Sequence, residues 1–122
     1  MDPHSLGVDI VEVKRVARLI RRSAFLKRVF TEGEVAYCEG KKNAAQHFAV
    51  RFAAKEAVYK ALGQSGVAHK EISVQNDPSG KPRVKLAARL RRWESRLTLS
   101  LSHTAEHAVA VALFFPPTRR TR

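Results

Sequence analysis

Two carboxylates stand where carboxylates are costly, and a lysine lies one turn from one of them. Asp9 lies inside the apolar run Leu6-Gly7-Val8-Asp9-Ile10-Val11, which reads as a short β-strand rich in β-branched residues. An ionised carboxylate in such a strand needs exposure, a partner or a cation. Glu56 meets the same difficulty in the mostly apolar, helix-forming segment from Phe48 to Leu62, and Lys60 lies one turn after it on the same face. Two acids in apolar settings on different elements suggest a hard-cation site with a phosphate-binding lysine beside it. Taken alone, Asp9 reads better as a strand-end or turn residue.

The elements that must position these groups belong to a chain of 122 residues, long enough for one domain with a real core. The domain is expected over 1–115, followed by a basic tail at 116–122. No apolar stretch approaches the roughly 20 residues of a membrane-spanning helix, and the first residues lack the basic start and apolar core of a secretory signal. Cys38 is the only cysteine, which excludes an internal disulfide and fits a reducing cytoplasm. The chain carries 23 Lys+Arg against 11 Asp+Glu, a formal +12 that should seek polyanions of some kind.

An amphipathic helix is expected from Val13 to Arg28, with Val13, Val16, Ala17 and Ile20 as its apolar stripe. Arg15, Arg18, Arg21 and Arg22 lie largely on the other side, and no acid falls between Glu12 and Glu32. A single-sign stripe suits docking to an acidic partner, and it also suits a merely solvated face. Thr31 with Glu34 resembles a capping box at the start of a short helix ending near Gly40. The central helix should run from about Ala44 to Leu62 and stop at Gly63 in the left-handed conformation. Ala49, Ala53, Glu56 and Lys60 share one stripe of it, while Phe48, Phe52, Tyr59 and Leu62 read as core. Strands follow at 72–76 and 83–86, a basic helix at 86–96, and a closing hairpin of 97–102 and 108–115. The fold class is α+β, with a mainly antiparallel sheet and packed helices.

Three segments gain meaning together: Gly7-Val8-Asp9-Ile10-Val11-Glu12, Arg51 through Gly63, and Ser100-Leu101-Ser102-His103-Thr104. In this order and spacing the chain closely resembles the holo-acyl-carrier-protein synthases, the small bacterial 4'-phosphopantetheinyl transferases. Phe30-Thr31-Glu32-Gly33-Glu34 and Gly80-Lys81-Pro82 are further landmarks of that resemblance. It implies transfer of the phosphopantetheine arm of coenzyme A to a serine of apo acyl carrier protein, in the service of fatty-acid biosynthesis. It further implies magnesium and a homotrimer with active sites between neighbouring subunits. Matched by motif, Asp9 and Glu56 would be metal ligands, Lys60 would contact the pyrophosphate region, and His103 would line the coenzyme A site. Arg51 and Lys55 would hold cofactor phosphates, and Arg15, Arg18, Arg21 and Arg22 would dock the acidic carrier protein. The base that activates the serine is Glu56, Asp9 or a metal-bound water; the residues do not choose. His47 and His107 read as structural or surface residues.

The chain departs from this pattern between Gly63 and Ile72, where the loop is compact and a glycine is displaced, and at Val50, where glycine is frequent. Arg89, Arg91, Arg92 and Arg96 find no place in the chemistry. Two other readings compete. A nucleic-acid-binding module would use the charge, but aromatics are only 7% and fall at core-like positions, so they do not interleave with the basic residues. A metal-dependent phosphohydrolase would use the same carboxylates but wants more acidic ligands.

Overall fold

The computed structural model describes residues 4–117 and bears out the α+β reading. Strand β1 (Ser5–Glu12) leads into α1 (Val13–Leu19), α2 (Ser23–Val29), α3 (Glu32–Glu39) and the long α4 (Ala44–Leu62). A 3₁₀ turn at His69–Glu71 precedes the hairpin β2 (Ile72–Asn76) and β3 (Pro82–Leu86). A second 3₁₀ stretch, Ala88–Arg96, precedes the hairpin β4 (Leu97–His103) and β5 (His107–Phe114). All pairings are antiparallel: β5 lies between β1 and β4 in one sheet, and β2 pairs with β3 in another. The basic tail expected at 116–122 lies, from residue 118, outside the described residues.

The core is helix α4 laid across the three-stranded sheet. Ala49, Ala53, Ala57 and Ala61 recur every four residues down α4 and are buried against Val11, Ala108, Ala110 and Ala112 of the sheet. Small residues on both sides let the backbones approach closely. At Gly7 the approach reaches its limit, because a Cβ there would sit 1.9 Å from the Ala57 carbonyl oxygen. Helix α4 ends as expected, with Gly63 at φ 64° and its N–H donating to the Tyr59 carbonyl. The capping box also forms: Glu34 N–H donates to Thr31 Oγ1 at 3.2 Å, and Thr31 N–H to Glu34 Oε1 at 3.0 Å.

Three expectations need correction. The single helix from Val13 to Arg28 is two helices broken at Ile20–Arg22. Val16 and Phe25 are both buried yet stand nine residues apart, two and a half turns, so one straight helix would put them on opposite faces. The segment Ala88–Arg96 is 3₁₀ rather than α, with buried Leu90 and half-buried Trp93 spaced at its three residues per turn. Tyr59, expected in the core, is 40% exposed.

Candidate active site

Alternation along β1 turns Gly7, Asp9 and Val11 toward α4 and leaves Leu6, Val8 and Ile10 on the outer face. Asp9 is thereby half-buried at the edge of the helix–sheet contact. The strand and helix meet so closely at Gly7 that Lys60 of α4 spans the gap. Its ammonium donates to the Val8 carbonyl at 3.0 Å and to Asp9 Oδ1 at 3.3 Å. Glu56, one turn earlier on α4, is half-buried, and its Oε2 lies 2.5 Å from His69 Nε2. Asp9 and Lys60 are therefore brought into contact from sequence positions some fifty residues apart, and Glu56 lies one helical turn before Lys60 with its carboxylate on His69.

Arg51 and His103 fall elsewhere. Both line a cleft of about 390 Å³ with Tyr37, His47, Asn76 and Lys81, toward the other end of α4. Nine residues of helix separate Arg51 from Lys60, roughly 13 Å along the axis. Arg51 is buried against the Tyr37 ring, 4.3 Å from guanidinium carbon to centroid, and donates to Asn76 Oδ1 at 3.4 Å. Its Nε is buried without a hydrogen-bond partner, and among the described residues no carboxylate pairs with it. A buried guanidinium left uncompensated by the chain is a seat for an anion. His47, read as structural or surface, shares this cleft, 6.0 Å from His103 between ring centroids. Burial, then the charges of Arg51 and His103, lower its pKa and favour the neutral ring.

Lys55 is placed differently from its expected neighbours. It is fully buried, and its ammonium donates to Glu34 Oε1 at 2.7 Å, to the His69 carbonyl at 3.2 Å and to the Ile72 carbonyl. All three of its protons are thus engaged inside the chain. Burial lowers its pKa, and the Glu34 carboxylate opposes that shift. Glu34 also accepts from Val74 N–H at 2.9 Å, so one carboxylate caps α3, pairs with Lys55 and anchors β2. Sequence reasoning saw only the first of these roles, and it missed His69 altogether.

The arginine stripe divides. Arg15, Arg22 and Arg28 line a groove of about 300 Å³ with Leu19, Phe25 and Phe52, whereas Arg18 and Arg21 do not line it. Among the described residues no carboxylate pairs with any of these arginines. The groove offers charge around two aromatic faces that are in mutual contact, Phe25 and Phe52 at 5.9 Å between centroids.

This arrangement has counterparts. The holo-[acyl-carrier-protein] synthase of Geotalea daltonii is 42% identical over 118 residues, covering 88% of this chain and 94% of the relative. The crystal structure of the Neisseria meningitidis holo-[acyl-carrier-protein] synthase superposes with a TM-score of 0.81 at 31% identity, over 90% of this chain and 96% of that one. The Bacillus anthracis enzyme, solved in complex with CoA (3',5'-ADP), gives 0.76 at 33% identity, over 90% and 94%. A model of the 4'-phosphopantetheinyl transferase superfamily matches residues 5–112. With that match over most of its length, the chain belongs to the 4'-phosphopantetheinyl transferase superfamily.

Proposed function

We propose that this protein is a holo-acyl-carrier-protein synthase. It transfers the 4'-phosphopantetheine arm of coenzyme A to a serine of apo acyl carrier protein, for fatty-acid biosynthesis, and releases adenosine 3',5'-bisphosphate. The observation that carries this reading is the contact of Lys60 with Asp9, one helical turn from Glu56, in a chain whose curated relatives bear that name. Neither the nucleic-acid-binding nor the phosphohydrolase reading has support from those relatives.

The donor set fits magnesium. That ion takes oxygen ligands and keeps several waters, so Asp9 and Glu56 suffice with phosphate oxygens. Among the described residues no group of three or more ligand-type side chains forms. When bound, magnesium would neutralise charge on the pyrophosphate and the departing bisphosphate. Lys60, already held beside Asp9, supplies a further positive charge to the pyrophosphate and a proton donor to the leaving group. Glu56 or Asp9 takes the proton of the attacking serine. Arg51 and His103, with His47 and Lys81 beside them, hold another phosphate of the cofactor. Lys55 supports the site from within the protein by fixing the loop that carries His69.

The two halves of this machinery lie apart in one chain, which supports a homotrimer whose sites form between neighbouring subunits. The outer sheet face supports it too. Leu6, Val8 and Ile10 are 68%, 56% and 66% exposed, and they pair across the ladder with Leu113, Val111 and Val109. A contiguous apolar face of that kind marks an interaction surface. The unpaired groove of Arg15, Arg22 and Arg28 is the dock for the acidic carrier protein. No helix among the described residues is long and apolar enough to cross a membrane, and the protein acts in the cytoplasm.

Intact-mass spectrometry of an apo carrier protein incubated with the enzyme, coenzyme A and magnesium tests the reading. The carrier should gain one phosphopantetheine arm, EDTA should abolish the gain, and Glu56→Gln should slow it by roughly a hundredfold or more. No gain with several acidic apo carriers overturns the assignment.

A further inference from the structure

We propose that His69 is a positioning residue for Glu56, holding one carboxylate oxygen so that the other is presented to the metal. The inference rests on the metal-site reading given above and concerns a residue that no motif of the family supplied. Glu56 is half-buried at the rim of the site, where a glutamate side chain has several rotamers open to it. His69 removes that freedom. Because a carboxylate only accepts, the 2.5 Å contact is an Nε2–H donating to Oε2, which leaves Oε1 without a partner from His69.

The histidine is itself fixed from several sides. Its ring stacks on Phe52 at 5.6 Å between centroids and 16° between planes. Its backbone carbonyl accepts from the buried Lys55 ammonium, which Glu34 anchors. The 3₁₀ turn that begins with His69 is closed by Glu71, whose Oε1 accepts from Ala68 N–H at 3.0 Å. Arg89 then clamps Glu71 with two hydrogen bonds of 2.6 and 2.7 Å and reaches the Gly66 carbonyl at 2.9 Å. The compact 63–72 loop thus delivers a rigid donor to the carboxylate. Outer partners of this kind orient metal ligands, and their loss costs about 10- to 100-fold in metal affinity.

The test is Mn²⁺ binding to the full-length protein, alone and with coenzyme A, followed by electron paramagnetic resonance. His69→Phe keeps a ring on Phe52 but removes the donor, and it should weaken Mn²⁺ about tenfold or more. His69→Gln returns an N–H at nearly the same reach and should recover most of the affinity. If the phenylalanine variant folds poorly, His69→Asn, whose amide is too short to reach Glu56, serves in its place. Glu56→Gln is the control for the underlying site. If it leaves Mn²⁺ binding intact, the metal-site reading fails. If it abolishes binding while His69→Phe binds Mn²⁺ as well as or better than the parent, the positioning role alone is overturned.

Discussion

Two stretches of this chain are densely basic, and they use their charge in opposite ways. Along residues 13–28, Arg15, Arg18, Arg21 and Arg22 are exposed and have no acidic partner among the described residues. In the 3₁₀ stretch of residues 88–96, each arginine is occupied. Arg89 clamps Glu71, Arg91 donates to the Leu86 carbonyl, Arg92 to the Arg89 carbonyl, and Arg96 to the carbonyl of Phe115. Arg92 also lies over the Trp93 ring at 4.1 Å. The second group is mortar within the fold, while the first is left for something outside it. Net charge alone would have treated them alike. Which cations find acceptors inside the chain decides which ones are available to a partner.

Lys55 is the extreme of the internally used class, and breaking its pairing should have the largest effect. Glu34→Ala leaves a buried ammonium without its carboxylate and should cost about 3–5 kcal/mol in denaturant unfolding. A loss below about 1 kcal/mol would mean that the two backbone carbonyls suffice for Lys55. The outward-facing class should show the reverse pattern. Replacing Arg15 and Arg22 together with Glu should raise KM for the carrier protein by roughly ten- to a hundredfold, leaving KM for coenzyme A and Tm nearly unchanged. Equal effects on both substrates would remove the groove from carrier docking.

The smallest effect belongs to the Arg89–Glu71 clamp. Hydrogen bonding from Arg89 holds the Glu71 carboxyl down at about 2, against its ordinary 4.5. The unfolded chain takes up that proton first, so the stabilisation is complete above pH 4.5 and fades as pH falls toward 2. Arg89→Ala should flatten that acid limb of the Tm–pH profile, with a slight loss of Tm at neutral pH because the pair is exposed and screened. An unchanged acid limb would show that the clamp does not form in solution. Carrier KM should not move, which separates this arginine from Arg15 and Arg22.

What the residues disclosed in advance was mostly local. The Thr31–Glu34 box, the span of α4 and its stop at Gly63 depend on neighbours within a turn or two, so spacing reveals them. The resemblance carried Asp9, Glu56 and Lys60 because they sit in contiguous motifs, and the fold sets Lys60 against Asp9. The pairings that remained hidden join positions with no periodic relation: Glu34 with Lys55, Glu56 with His69, Arg89 with Glu71. Each crosses a loop whose path is set by packing, which a pattern of residue types does not encode. The helix break at residues 20–22 was concealed for a related reason. Its two halves each satisfy helical spacing, and only the demand that Val16 and Phe25 enter the same core exposes the conflict.

Gly7 carries a consequence beyond packing. It sets the separation of β1 from α4, and Asp9 is its next neighbour on that face of the strand while Lys60 stands beside the helical residues it touches. The tightness of the core is therefore also the calibration of the proposed active site. A single added methyl at Gly7 would act as a shim, prising the aspartate away from the lysine by the same increment that it opened the interior. If Asp9 and Lys60 act as proposed, a bulkier residue here would disturb packing and chemistry together, because one distance serves both.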